Sequence, residues 1–188
     1  MSTSAECAIP AEGSVRPGSS PVLRAVPYDS PVAQFLIEQV QLEYVQRYGG
    51  RDAAVVDPDE FSPPHGTFLV AEVDGEPAGC GAWRVHAPGT VEIKRVYVEP
   101  RFRRRGLARV LVEELEKTAE RAGHAAVVLN SGARQPEALA LYEELGYRPI
   151  PGYGVYAQAR DAVFLGKDLR SAPDDGSGDS KEERPWAS

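Results

Sequence analysis

The amino-acid sequence predicts an α/β fold built on a mixed sheet, and three observations carry that prediction. Strand-sized apolar runs are interrupted by segments of helical periodicity in the order βαβββαβαββ. Two of the runs, Thr67 to Val73 and Ala78 to His86, flank the turn residues Asp74, Gly75, Glu76 and Pro77 and read as an antiparallel hairpin. A third, Ala125 to Leu129, is wholly apolar, the pattern of a central strand buried on both faces. Of 188 residues, 42% are hydrophobic and 26% charged, the balance of a soluble globular domain rather than of a disordered or membrane-embedded chain.

Each element has its own local cause. A short strand is predicted at Val22 to Val26. Asp29, Ser30 and Pro31 form a helix-start signal, and the helix they open runs to Tyr48 and stops at Gly49 and Gly50. Its predicted apolar face comprises Val32, Phe35, Leu36, Val40 and Tyr44. Arg51 to Gly66, with three prolines and Phe61, reads as a loop, or at most a turn of helix, that could cover a site. After the hairpin, the strand Thr90 to Val98 changes parity, because Val91 and Ile93 are odd whereas Val96 and Val98 are even. A side-chain period of two cannot do that without a slip, so a β-bulge is expected near Lys94 and Arg95.

From a start near Arg105, Leu107, Val110, Leu111, Leu115 and Ala119 recur at helical spacing until Gly123 ends the helix. Pro136 opens a last helix that ends at Gly146, and Tyr153 to Ala157 and Ala162 to Gly166 are the remaining predicted strands. Residues 1–21 and 171–188 are rich in Ser, Gly and Pro and are expected to be disordered tails around one domain, residues 22–170.

Charge narrows the function. A net charge of −7 argues against a nucleic-acid binder, and the lack of a long apolar stretch argues against a membrane partner or an export signal, so a cytoplasmic address is expected. Two cysteines and three scattered histidines show no ligand spacing, so no metal site is expected. The charge is also uneven. Lys94 to Arg109 holds seven basic residues against Glu99 alone, while Ser171 to Ser188 has five acidic residues and two basic ones. The basic run is therefore the candidate anion site.

Within that run, Arg103, Arg104, Arg105, Gly106, Leu107 and Ala108 lie between a strand end and a helix start. A helix start offers unpaired N–H groups and the positive end of the macrodipole, Gly106 admits a phosphate close to the backbone, and arginines add charge-assisted bonds. The alternative is a basic loop that is simply solvated. Arg103, Gly106 and Ala108 match the R/Q-x-x-G-x-G/A signature of the GNAT acetyltransferase superfamily, and on these residues the chain resembles that family. Val91 to Val98, VEIKRVYV, looks like its bulged fourth strand. Gln135 to Tyr147, QPEALALYEELGY, looks like its C-terminal helix. The resemblance covers roughly Val22 to Leu169 and departs from the family's commoner Asn at Gln135. The segment from Gly146 to Leu169 is similar to a bacterial, small-molecule-type branch.

What the resemblance implies is a GNAT-like, mostly antiparallel central sheet flanked by helices, and an acetyl-CoA-dependent N-acetyltransferase. Its acceptor is a primary amine, expected on a small molecule, with a protein lysine or N-terminus, or a non-catalytic acyl-CoA sensor, as alternatives. A homodimer is compatible with the resemblance. Cofactor contacts are expected from the backbone around Val96, Tyr97 and Val98, from Arg103 to Ala108, and from Asn130 and Gln135. Asn130 and Ser131 alternatively cap a turn.

Direct attack on a thioester needs a deprotonated amine and a proton for the departing thiolate. An alkyl ammonium with a pKa of about 10.4 makes a base useful, and Glu92 beside the bulge is the candidate, its alternative being a pair with Lys94. Tyr142 resembles the tyrosine that the family often places near the cofactor sulfur and is on that ground the candidate acid, its alternative being a core residue. Glu43, Tyr44, Phe61, His65, Trp83, Tyr153 and Tyr156 are the candidate acceptor-pocket residues.

Overall fold

A computed structural model describes residues 20–169 apart from residues 53 and 55. The expected tails thus lie, but for residues 20 and 21, outside the described residues. The elements are β1 (Val22–Ala25), α1 (Pro31–Tyr48), β2 (Gly66–Val73), β3 (Glu76–Ala87), β4 (Thr90–Val98), α2 (Leu107–Arg121), β5 (Ala126–Gly132), α3 (Pro136–Glu144), β6 (Arg148–Pro149) and β7 (Ala162–Asp168). They form one seven-stranded sheet in the order β1-β2-β3-β4-β5-β7-β6. Every neighbouring pair is antiparallel except β4 and β5, which run parallel.

The alternation along the strands supplies two separate cores. Leu69, Ala71 and Val73 of β2 pack with Leu107, Leu111 and Leu115 of α2 and with Tyr142 and Tyr147 on one face. Phe68 and Val70 pack with Leu36 and Val40 of α1 and with Phe61 on the other. Ser30 caps α1, its hydroxyl accepting from Ala33 N–H, and Pro31 sits in the first turn where its missing N–H costs nothing. Phe35 leaves the predicted apolar face and is half exposed, because the buried side of α1 runs through Ala33, Leu36, Val40 and Gln41.

The predicted bulge is present. Cys80 opposes Tyr97 and Ala82 opposes Lys94, so two steps on β3 face three on β4, and Arg95 takes a left-handed φ of 60°. The slip carries Val91 and Ile93, then Val96 and Val98, onto the α2 face of the sheet. The predicted strand at Tyr153 to Ala157 is a 3₁₀ turn at Gly154–Tyr156 instead, and Arg148–Pro149 supplies the strand beside β7. A left-handed φ of 62° at Gly154 ends the extended backbone there. Among the described residues no helix is long and apolar enough to cross a membrane.

Candidate active site

Backbone pairing builds the site. β4 and β5 are paired only from Thr90↔Ala126 to Ile93↔Leu129, after which β5 stays with β7 while β4 continues alone along β3. The two strands separate over Lys94 to Val98, and the bulge at Arg95 begins where the separation begins. Two cavities meet in the opening.

The larger, about 700 Å³, runs from the opening to the start of α2 and lies within the common range for ligand sites. Val96, Tyr97 and Val98 line one side, Arg103, Arg104, Gly106, Leu107 and Ala108 the end, and Asn130, Gln135, Ala138, Leu141 and Tyr142 the other side. The first backbone bond of α2 is Val110 N–H to Gly106 C=O, so the preceding amides stand free at the helix start. Arg104 and Gly106 are both left-handed, with φ of 61° and 77°. Such a turn aims successive N–H groups into one concavity, and a Cβ at Gly106 would point into open space. This cradle fits the phosphates of a nucleotide-bearing donor.

Not every predicted donor contact takes that role. Arg105 does not line the cleft; its guanidinium lies 5.9 Å from the Phe102 ring centre. Arg103 lines the cleft, but its side chain donates to Val98 C=O at 2.8 Å and to Glu43 Oε2 at 2.6 Å. It fastens the end of β4 to α1, and Arg104 stands exposed beside it on the cleft lining. Gln135 takes the N-cap position of α3, and the Ser131 hydroxyl reaches its side chain at 3.3 Å.

The smaller cavity, about 280 Å³, lies on the other side of the opening. Tyr44, Tyr48 and Tyr156 give it aromatic walls, and Asp52 and Arg95 form a buried pair on its lining. Tyr48 lies so close to the end of β5 that a Cβ at Gly132 would stand 1.9 Å from its hydroxyl oxygen. Asp52 accepts from Tyr156 at 2.5 Å, from Ala54 N–H at 3.0 Å and from Arg95. Burial pushes its carboxyl up, but the bonds from Tyr156 and Arg95 outweigh burial and hold it below the usual value.

Of the acceptor-pocket candidates, only Tyr44 and Tyr156 line this cavity. Phe61 is core under α1, and Trp83 is buried toward α2, where its indole donates to Thr118 at 2.8 Å. Glu43 faces the larger cleft. Tyr153 packs between His86 and Phe164, and neither it nor His65 reaches the cavity.

The two catalytic candidates are placed differently. Tyr142 lines the larger cleft, with its phenol pushed up by burial and further by Tyr44, so it stays protonated. Glu92 lines neither cavity. It is 3% exposed, and its oxygens meet Arg84 at 3.0 Å and Lys94 at 3.3 Å. Residues that line both cavities are Tyr44, Ile93, Lys94, Arg95, Asn130, Ser131 and Gln135. Sequence reasoning missed Tyr48 and the Asp52–Arg95 pair. The available signal was an arginine inside an apolar strand, which has to find a partner if it is buried; nothing in the spacing names a partner 43 residues away.

The sheet thus opens between two parallel strands, with a cradle of free helix-start amides on one side and a smaller pocket on the other, the layout of a site for two ligands. The acetyltransferase (GNAT) family model matches residues 33–147, more than half of the chain. The chain belongs to the GNAT acetyltransferase family and is an N-acetyltransferase. It is 31% identical over 149 residues to an IAA acetyltransferase of Azospirillum brasilense, covering 79% of this chain and 97% of that one. A solved acyl-CoA N-acyltransferase from Klebsiella pneumoniae superposes with a TM-score of 0.68 at 25% identity, over 80% of this chain and 98% of the other. A GNAT acetyltransferase from Elizabethkingia anophelis, solved with acetyl-CoA bound, shares the fold at a TM-score of 0.57 and 16% identity, over 79% and 97% of the two chains.

Proposed function

We propose that this enzyme transfers the acetyl group of acetyl-CoA to the primary amine of a small molecule by direct attack in a ternary complex. The observation that carries the reading is the meeting of the two cavities at the β4–β5 opening, which brings a donor and an acceptor together without a covalent enzyme intermediate. The free amides at the start of α2, with Arg104, hold the pyrophosphate, and the unpaired side of β4 from Val96 to Val98 offers its backbone to the pantetheine arm. Tyr142 donates a proton to the departing thiolate. Glu92 acts behind β4, holding Arg84 and Lys94, rather than in contact with the amine. The modest acceptor volume, with Tyr156 fastened to Asp52 along its wall, favours a small molecule over a protein side chain.

Calorimetric titration with acetyl-CoA, free coenzyme A and ATP, followed by a thiol assay for coenzyme A release with amines, tests this reading. Selective binding of acetyl-CoA over ATP with amine-dependent release is the expected result. ATP binding as tightly as acetyl-CoA would reduce the cradle to a general phosphate site.

A further inference from the structure

Where the sheet opens, the larger cavity loses its backbone ties. β4 and β5 pair no further than Ile93↔Leu129, so side chains have to hold the end of β4, on one side of the cavity, in place against the start of α3 on the other. A run of charged groups joins the two across α1. Arg103 donates from Nε to Val98 C=O at 2.8 Å and from the far end of its guanidinium to Glu43 Oε2 at 2.6 Å. The second oxygen of Glu43 accepts from Arg47 Nε, one turn further along α1, at 2.8 Å. Arg47 then reaches beyond α1. It donates to Glu137 on α3 and, at 2.8 Å, to Arg134 C=O ahead of that helix, while Arg134 donates back to Arg47 C=O at 2.9 Å. Glu43, Arg103 and Glu137 all line the larger cavity. The inner links are partly shielded, with the side chains of Glu43 and Arg47 17% and 23% exposed, and so escape much of the screening that makes open surface pairs weak.

Resting on the acetyl-transfer reading above, we propose that Glu43 is a positioning residue for the donor: with Arg103 on one side and Arg47 and Glu137 on the other, it braces the two walls of the cleft at the separation that admits the pantetheine arm. The brace acts on binding, because a cleft free to vary its width is competent only part of the time, and its apparent affinity falls by that fraction. The sign of the effect separates this role from a purely electrostatic one. Coenzyme A carries phosphates, so taking a carboxylate out of the cleft lining tightens binding if charge alone counts, the more so because Arg103 is then released to meet a phosphate. Taking out a brace weakens it.

The test is calorimetric titration of acetyl-CoA into the wild type, Glu43→Gln, Glu137→Gln and the double variant, with urea midpoints to show that each is folded. The dissociation constant is expected to rise about tenfold in Glu43→Gln and by less in Glu137→Gln, and the double variant is expected to be no weaker than Glu43→Gln alone, since both changes cut one chain. Unchanged or tighter binding in Glu43→Gln, or losses that add in the double variant, would overturn the proposal. A wild-type protein that binds no acetyl-CoA overturns the acetyl-transfer reading itself, and this inference with it.

Discussion

Gly106 combines two demands that no other residue meets. Its φ of 77° is costly for an L side chain, and its free side faces open space, where we place the donor's phosphate. Gly106→Val is therefore expected to abolish measurable acetyl-CoA binding while the fold persists, with calorimetry and circular dichroism as the two readouts; unchanged affinity would remove the phosphate site from the start of α2. Tyr142 is a matter of one oxygen. Tyr142→Phe keeps the ring against Tyr147, 5.4 Å between centres, and deletes the proton donor. Turnover is expected to fall by about 10²-fold with acetyl-CoA affinity unchanged. Steady-state kinetics showing equal kcat would return Tyr142 to the core.

Between elements, contacts decide the shape of the smaller cavity, where we place the acceptor. The end of β5 comes so near α1 that Gly132 leaves no room for a methyl group beside Tyr48. Gly132→Ala is expected to push the Tyr48 ring into the smaller cavity, raising KM for the amine several-fold and leaving the affinity for acetyl-CoA as it was. Equal KM values would show that Tyr48 does not shape the acceptor side. Element identity itself was readable along the chain: Ser30 and Pro31 announce α1, and the parity change between Ile93 and Val96 announces the bulge. The segment after Gly152 misled, because its tyrosines alternate like a strand while Gly154 turns left-handed. Glu92 was legible as a carboxylate beside the bulge. Which way it is spent was not, since Arg84 reaches it from the neighbouring strand, opposite it in register.

For the whole molecule, the Arg95–Asp52 pair links the bulge to the loop after α1, and Tyr156 adds the loop before β7. Because the Asp52 carboxyl is held below its ordinary value, its pairing stabilises the fold above about pH 3.9, and that contribution is lost as pH falls through the lower folded value. Asp52→Asn leaves the Arg95 charge buried without its counterion and is expected to cost about 3–5 kcal/mol at pH 7. It should also flatten the acid limb, because the variant has no carboxylate to protonate there. Urea midpoints from pH 7 to pH 3 read both effects, and a variant matching the wild type at every pH would show the pair to be energetically idle. The sequence by itself determined what depends on neighbours a few residues apart: the helix starts and stops, the strand periods, the bulge and the glycine at the anion cradle. Only the tertiary structure decided which charges are spent on one another and which side chains line the smaller cavity. Those choices depend on side chains such as Asp52, Arg95 and Tyr156, which lie far apart along the chain and are brought together by the packing of α1 and the loops against the open edge of β4.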